Sequence, residues 1–140
     1  MEKQLIAHVC ESDKQRQSLI EHLEAVSQLT EQFVNKIGLK EIGLILGLLH
    51  DFGKASNQFQ DYLFSREGEI NPDEDNYIDP INMRGKIDHS TAGAQLIFQK
   101  IGNKDSKSKI LSQFLALVIA SHHSGLIDCL TPSGCNNFER

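Results

Sequence analysis

Between Lys40 and Phe52 the chain reads as a helix that is apolar nearly all round, through Ile42, Leu44, Ile45, Leu46, Leu48 and Leu49. A helix of that kind has no polar face to turn to water, so it belongs at the centre of a bundle with other helices about it. The segment ends on two residues that a core does not welcome, His50 and Asp51, and Gly53 lets the chain break there. The expectation is an all-α fold whose central helix delivers polar chemistry at its C-terminal end.

The flanking segments supply the rest of a bundle. From about Ser12 to Ile37, Leu19, His22, Leu23, Val26, Leu29, Phe33 and Ile37 recur at three- and four-residue steps and so share one face, with Gly38 as a stop. That face turns His22 inward. A shorter helix is expected from Ser56 to Phe64, with Phe59, Tyr62 and Leu63 as its buried stripe. From Arg66 to Lys86 periodicity dissolves into Gly68, Pro72, Asp73-Glu74-Asp75, Pro80 and Gly85, a long loop of the sort that is functional or disordered. It leads to Asp88-His89-Ser90, where Asp88 or Ser90 can cap a helix carrying Ala92, Leu96, Ile97 and Ile101. A last apolar helix runs from Lys107 to Ser121 and ends in His122-His123-Ser124-Gly125; Thr131 to Arg140 is turn-like. No segment reads as a convincing strand, and there is no internal repeat.

Length and charge limit the function classes. A chain of 140 residues is expected to form one domain, spanning 1–140. It has no apolar run long enough for a bilayer and no secretory signal, which points to the cytoplasm. Cys10, Cys129 and Cys135 fit no zinc spacing and read as reduced and incidental. A net charge of −5 argues against a generally basic nucleic-acid surface. Bound divalent cations, however, would place positive charge where a phosphate docks.

The histidines suggest such cations. Taken alone, His22 reads as a core histidine, His89 as a helix-start residue, and His50-Asp51 as a chance pair. His122-His123 is harder to set aside, because two imidazoles ending an apolar helix pack poorly and each needs hydrogen-bond partners. Together the order His, His-Asp, His, His-His suits metal ligation, with Asp51 able to offer one oxygen to each of two cations. Lys54, three residues after Asp51, can reach a phosphate held there. Gly53-Lys54 is not a phosphate-binding loop, since Ala55 replaces the required Ser or Thr and the earlier glycine is absent.

Four segments carry a family likeness: Ser18-Leu19-Ile20-Glu21-His22-Leu23, Leu48-Leu49-His50-Asp51-Phe52-Gly53-Lys54-Ala55, Asp88-His89-Ser90-Thr91-Ala92-Gly93-Ala94, and Ser121-His122-His123-Ser124-Gly125-Leu126. With Phe59-Gln60-Asp61-Tyr62-Leu63, they make the chain, from about Ala7 to Leu130, resemble the HD superfamily of metal-dependent phosphohydrolases. More narrowly it resembles the HD nuclease domain of the helicase–nuclease of type I CRISPR interference. The resemblance implies an HD-domain helical bundle and a nuclease that cuts single-stranded DNA in antiviral defence, as endonuclease or exonuclease. It implies two divalent metal ions (Mn, Fe, Co, Ni or Mg), one on His22, His50 and Asp51 and the other on His89, His122 and His123. Asp51 would bridge them, and Lys54 would act beside the scissile phosphate. The implied partners are the DNA strand, a helicase domain or subunit, and the CRISPR effector complex; no membrane is implied. His8 falls inside the resembling region as a supporting or structural residue rather than a ligand.

Two departures from the family pattern shape the expectation. The aspartate that normally completes the metal cluster downstream of the His-His pair is missing, and Asp128 is too near to be assumed its replacement. The helicase is absent as well. The chain is therefore expected to be a C-terminally truncated HD domain, with weak first-cation binding and reduced or absent activity. The competing functions are an HD nucleotide phosphohydrolase and a non-catalytic HD module that docks to a helicase or effector complex.

Overall fold

The computed structural model describes residues 4–123 together with Gly125 and Ser133. Two short strands come first, β1 (Ile6–Val9) and β2 (Arg16–Ser18), paired antiparallel. Five helices follow: α1 (Leu19–Asn35), α2 (Lys40–Leu49), α3 (Asn57–Arg66), α4 (Thr91–Ile101) and α5 (Ser106–Ser121), with a single 3-10 turn at Phe52–Ala55 between α2 and α3. The fold is mostly helical, as the apolar periodicity requires.

The strands correct the expected start of the first helix. Residues 12–18 were read as its first turns, but they form a turn and β2, and the helix begins at Leu19. The reason is local: Glu11 to Gln17 has no apolar stripe to bury, whereas β1 offers open backbone groups. The turn closes through Cys10 N–H on Gln15 O (2.9 Å) and Lys14 N–H on Cys10 O (3.0 Å).

Helices α1 and α2, joined by a short turn, pack as an antiparallel pair through glycine. A side chain at Gly43 would strike Thr30 and Val34, and one at Gly47 would strike Ser27 and Thr30. The backbones therefore approach closely, and Ser27 Oγ–H donates to Leu44 O (3.0 Å) across the seam. This corrects two readings. The buried residues of α2 are Gly43 and Gly47, with Leu48 exposed, so the helix is flanked on some sides rather than enclosed. On α1 the apolar face is only partly covered, since Leu29, Phe33 and Ile37 are exposed.

Two apolar clusters hold the remainder. Ala94, Ile97 and Phe98 of α4 meet Leu115, Ala116, Ile119 and Ala120 of α5, with Ile42, Ile45, Leu46 and Leu49 of α2 against them. Gly93 lets α4 cross close over Leu49 O, where any side chain would collide. The other cluster joins Ile6, four residues of α3 (Phe59, Tyr62, Leu63, Phe64), Ile70 and Ile87. Tyr77, Ile78 and Met83 pack against it, so the long loop is anchored by its own apolar residues. Among the described residues, no helix is long and apolar enough to cross a membrane.

Candidate metal centre

The centre forms where the two clusters meet, and each histidine arrives for a local reason. Leu19 roots the first turn of α1 in the core, and His22 lies one turn on. His50 is the C-cap of α2, and Asp51 follows before the 3-10 turn. His89 is held by backbone pairing, because Gly53 N–H donates to His89 O (3.1 Å) and a side chain at Gly53 would collide with that carbonyl. Asp88 takes the capping role, with Oδ1 accepting from Ser90 N–H and Thr91 N–H (both 3.0 Å). Those bonds, against the opposing effect of burial, hold its carboxyl below the usual range. His122 is the C-cap of α5, with His123 beside it.

The five expected histidine ligands converge on the sixth, the Asp51 carboxylate, and its two oxygens divide them. Asp51 Oδ2 lies 3.0 Å from His22 Nε2 and 3.3 Å from His50 Nε2. Asp51 Oδ1 lies 3.2 Å from His122 Nε2 and 3.6 Å from both His89 and His123 Nε2. Asp51 itself is 2% exposed, so this negative charge is buried among imidazoles. The Lys54 ammonium, also buried, sits 2.8 Å from Oδ2.

Three of the rings have a fixed tautomer. His50, His89 and His122 each place Nδ1 against a backbone carbonyl: Gly47 O at 2.7 Å, Ile87 O at 3.1 Å and Ile119 O at 2.6 Å. A carbonyl can only accept, so each Nδ1 carries a proton, and Nε2, which faces Asp51, is the atom left to ligate a cation once it is unprotonated. In the neutral rings those nitrogens and the carboxylate are all donors of electron pairs, which a shared cation would satisfy. The spacing suits one. Neighbouring ligand atoms on an octahedral cation of bond length about 2.1 Å are about 3.0 Å apart. His22 Nε2 and His50 Nε2 are 3.2 Å apart, which with the two distances to Oδ2 gives three donors at such spacing. Asp51, His89, His122 and His123 form a wider group, with all ligand atoms within 4.8 Å of one another.

The electrostatics follow from the same packing. Burial alone would raise Asp51, but hydrogen bonds from His50 and Lys54 and the lysine's charge hold it far below the usual carboxylate range. His50 is raised: burial opposes its charge, but Asp51 and the Gly47 carbonyl outweigh it. Burial lowers His22, with Lys54 adding to it and Asp51 opposing. Burial and then His122 and His89 lower His123.

Two residues that shape the site carry little sequence signal. Gln60 Oε1 accepts from Ile6 N–H (3.0 Å), while its Nε2 donates to Ile6 O (2.9 Å) and Lys54 O (2.7 Å), tying β1 to the 3-10 turn. A buried glutamine within an apolar stripe is the only hint of that role. His8, placed outside the ligand set on sequence, stands with its ring edge-on to His22 (centroids 4.8 Å apart) and Nε2 3.1 Å from Lys54 Nζ. His8, His22 and Asp51 also have ligand atoms within 4.8 Å of one another. Partial burial, Lys54 and His22 push His8 down to about 4. Ser124, Asp128, Cys129, Cys135 and the turn-like stretch beyond residue 130, Ser133 apart, lie outside the described residues. Cys10 is exposed and free.

The family model for the HD domain of Cas3 matches residues 2–131, and the chain belongs to that family of CRISPR-associated HD nucleases. No curated protein and no solved structure matches the chain.

Proposed function

We propose that this Cas3 HD family member, acting as one nuclease domain over residues 1–140, cuts single-stranded DNA during type I CRISPR interference in the cytoplasm. A helicase domain or subunit at the effector complex would feed it the strand. The observation that carries this reading is the division of Asp51, one oxygen facing His22 and His50 and the other facing His89, His122 and His123. That donor set would hold two divalent cations, with Asp51 shared between them. When bound, the cations supply a water of lowered pKa and the charge that clamps phosphate oxygens during in-line displacement. Imidazole-rich sites suit Mn, Fe, Co or Ni better than Mg.

The chain's own residues do the positioning. Backbone acceptors on the Nδ1 atoms of His50, His89 and His122 keep those rings from rotating away. Lys54 brings its ammonium to the edge of the centre, where it can donate to a phosphate oxygen. A cleft of about 250 Å³ opens there, lined by His8, Lys54, Phe59, Tyr62, Arg66 and His123 among others. It offers a cation and aromatic edges beside the cluster, which suits a nucleotide strand better than a bare phosphate.

The test is cleavage by protein loaded with Mn, Co, Ni or Fe, on single-stranded DNA, duplex DNA and deoxynucleoside triphosphates. Single-strand cleavage lost in both His50→Ala and Asp51→Ala is the expected result. Activity on triphosphates alone would move the function to nucleotide hydrolysis. Cleavage unchanged in both variants would remove the site assignment.

A further inference from the structure

Lys54 is held from two directions, and only one of them belongs to the metal cluster. Its ammonium has three N–H donors. One meets Asp51 Oδ2 at 2.8 Å and a second meets His8 Nε2 at 3.1 Å. Beneath it lies the Phe59 ring, with Nζ 5.7 Å from the centroid. Among the described residues the third donor has no hydrogen-bond partner. His8 and Lys54 both line the cleft beside the centre.

The placement of His8 is built into the strand. In a regular strand Ile6 and His8 would share a face. Here the pairing slips between them: Ile6 pairs with Ser18 while His8 pairs with Gln17, and Ile6 and Ala7 are both buried while His8 is exposed. Such irregularities re-aim side chains beside functional sites. Gln60 fixes the irregular strand at Ile6 and grips the Lys54 carbonyl with the same amide nitrogen. The strand and the lysine are therefore registered to each other through one side chain.

We propose that His8 is a positioning residue for Lys54: it gives the ammonium a second acceptor beside Asp51 and so leaves one N–H aimed into the cleft for a phosphate oxygen of the nucleic-acid strand. The inference rests on the nuclease reading for its substrate, but the His8–Lys54 contact stands apart from it. Without His8, the ammonium would have Asp51 as its single strong acceptor. It would then lose the second contact that fixes where its remaining N–H points.

The experiment combines His8→Ala, His8→Gln, Lys54→Ala and the His8→Ala/Lys54→Ala double variant. Three readouts are taken on the whole chain: metal content, cleavage of single-stranded DNA with kcat and KM separated, and the ammonium resonance of Lys54 in ¹⁵N NMR of metal-free protein. The expected result is a kcat loss on the order of 100-fold in His8→Ala, the scale of a misplaced group, with metal content and KM near wild type. His8→Gln, whose amide oxygen can accept the same bond, recovers most of the rate. On the Lys54→Ala background, His8→Ala adds nothing. The Lys54 resonance shifts in His8→Ala and returns toward wild type in His8→Gln.

Loss of bound metal in His8→Ala would overturn the proposal and make His8 a ligand. Additive losses in the double variant, or an unmoved Lys54 resonance, would overturn it as well. Wild-type protein that binds metal but cleaves no DNA would break the nuclease reading, and the proposed phosphate role with it, while the resonance alone would then decide the His8–Lys54 contact.

Discussion

The two sides of Asp51 are built differently. The Oδ2 side comes from the α1–α2 pair, which packs through Gly43 and Gly47, and its ligands His22 and His50 are 14% and 17% exposed. Its three donor atoms already stand at coordination spacing. The Oδ1 side is gathered from a loop and the end of α5, its distances reach 3.6 Å, and His123 is 55% exposed. One side is held rigid by a helix seam, and the other opens to solvent and to the cleft. On the two-cation reading proposed above, the Oδ2 side would hold its cation the more tightly and the Oδ1 side would face substrate, the reverse of the weak binding on the His22–His50 side that the sequence leads one to expect.

The largest expected effect removes the comparison altogether. Asp51→Asn keeps the shape but takes away the charge that both sides share. Both cations should be lost, and cleavage should fall by about 10³-fold or more, as when a catalytic unit loses an indispensable member. Metal analysis of the purified variant checks this. Retention of two cations would show that the histidines suffice without the carboxylate.

Single ligands should separate the two sides. His50→Ala is expected to empty the Oδ2 side, weakening its cation by more than about 100-fold, beyond what loss of an outer partner costs. His123→Ala should weaken only the Oδ1 cation, and by less, because its imidazole is half in water. Calorimetric titration with Mn resolves the two events. Equal losses from the two variants would erase the asymmetry.

Two glycines test the same division through the backbone. Gly47→Ala drives a methyl into Ser27 and parts α1 from α2, and so His22 from His50. Gly53→Ala pushes on the His89 carbonyl and disturbs the Oδ1 side. Each should cost about 1–3 kcal/mol, the range for overpacking a closed contact. Thermal melts give the cost, and metal titration should show a different cation weakened in each.

These glycines mark where sequence reading stopped. The order of histidines on helix ends was legible, because apolar periodicity predicts the helices and the polar residues stand out at their termini. The division of labour between the Asp51 oxygens was not, since it depends on how α2, the loop and α5 approach one another. Gly43, Gly47 and Gly93 look like interruptions in apolar helices until the neighbouring backbone is seen. The β1–β2 hairpin was hidden because two short strands, one of them polar, carry no alternation strong enough to read. His8 was read as a supporting or structural residue, but what it supports was hidden for the same reason: it reaches Lys54 from the hairpin, across 46 positions.

The smallest effect is the pH response of metal-free protein, and its sign differs between His50 and the other shifted histidines. His50 is raised above 6.5, so its contribution to stability is present below pH 6.5 and is lost as pH rises through its folded value. His8, His22 and His123 are lowered, so theirs is present above pH 6.5 and is lost as pH falls through their folded values, about 4 for His8. The melting temperature should therefore drop on acidification from pH 6.5 toward 4, the more so because Asp51 stays ionised and gives no compensating gain. Cation uptake carries the same signature. His50 is raised and His123 lowered, so at a given pH ligation of His50 should release more proton than ligation of His123. Titration in two buffers of different ionisation enthalpy measures that release for each event. Greater release from the weaker, Oδ1-side cation would reverse the assignment of the two sides.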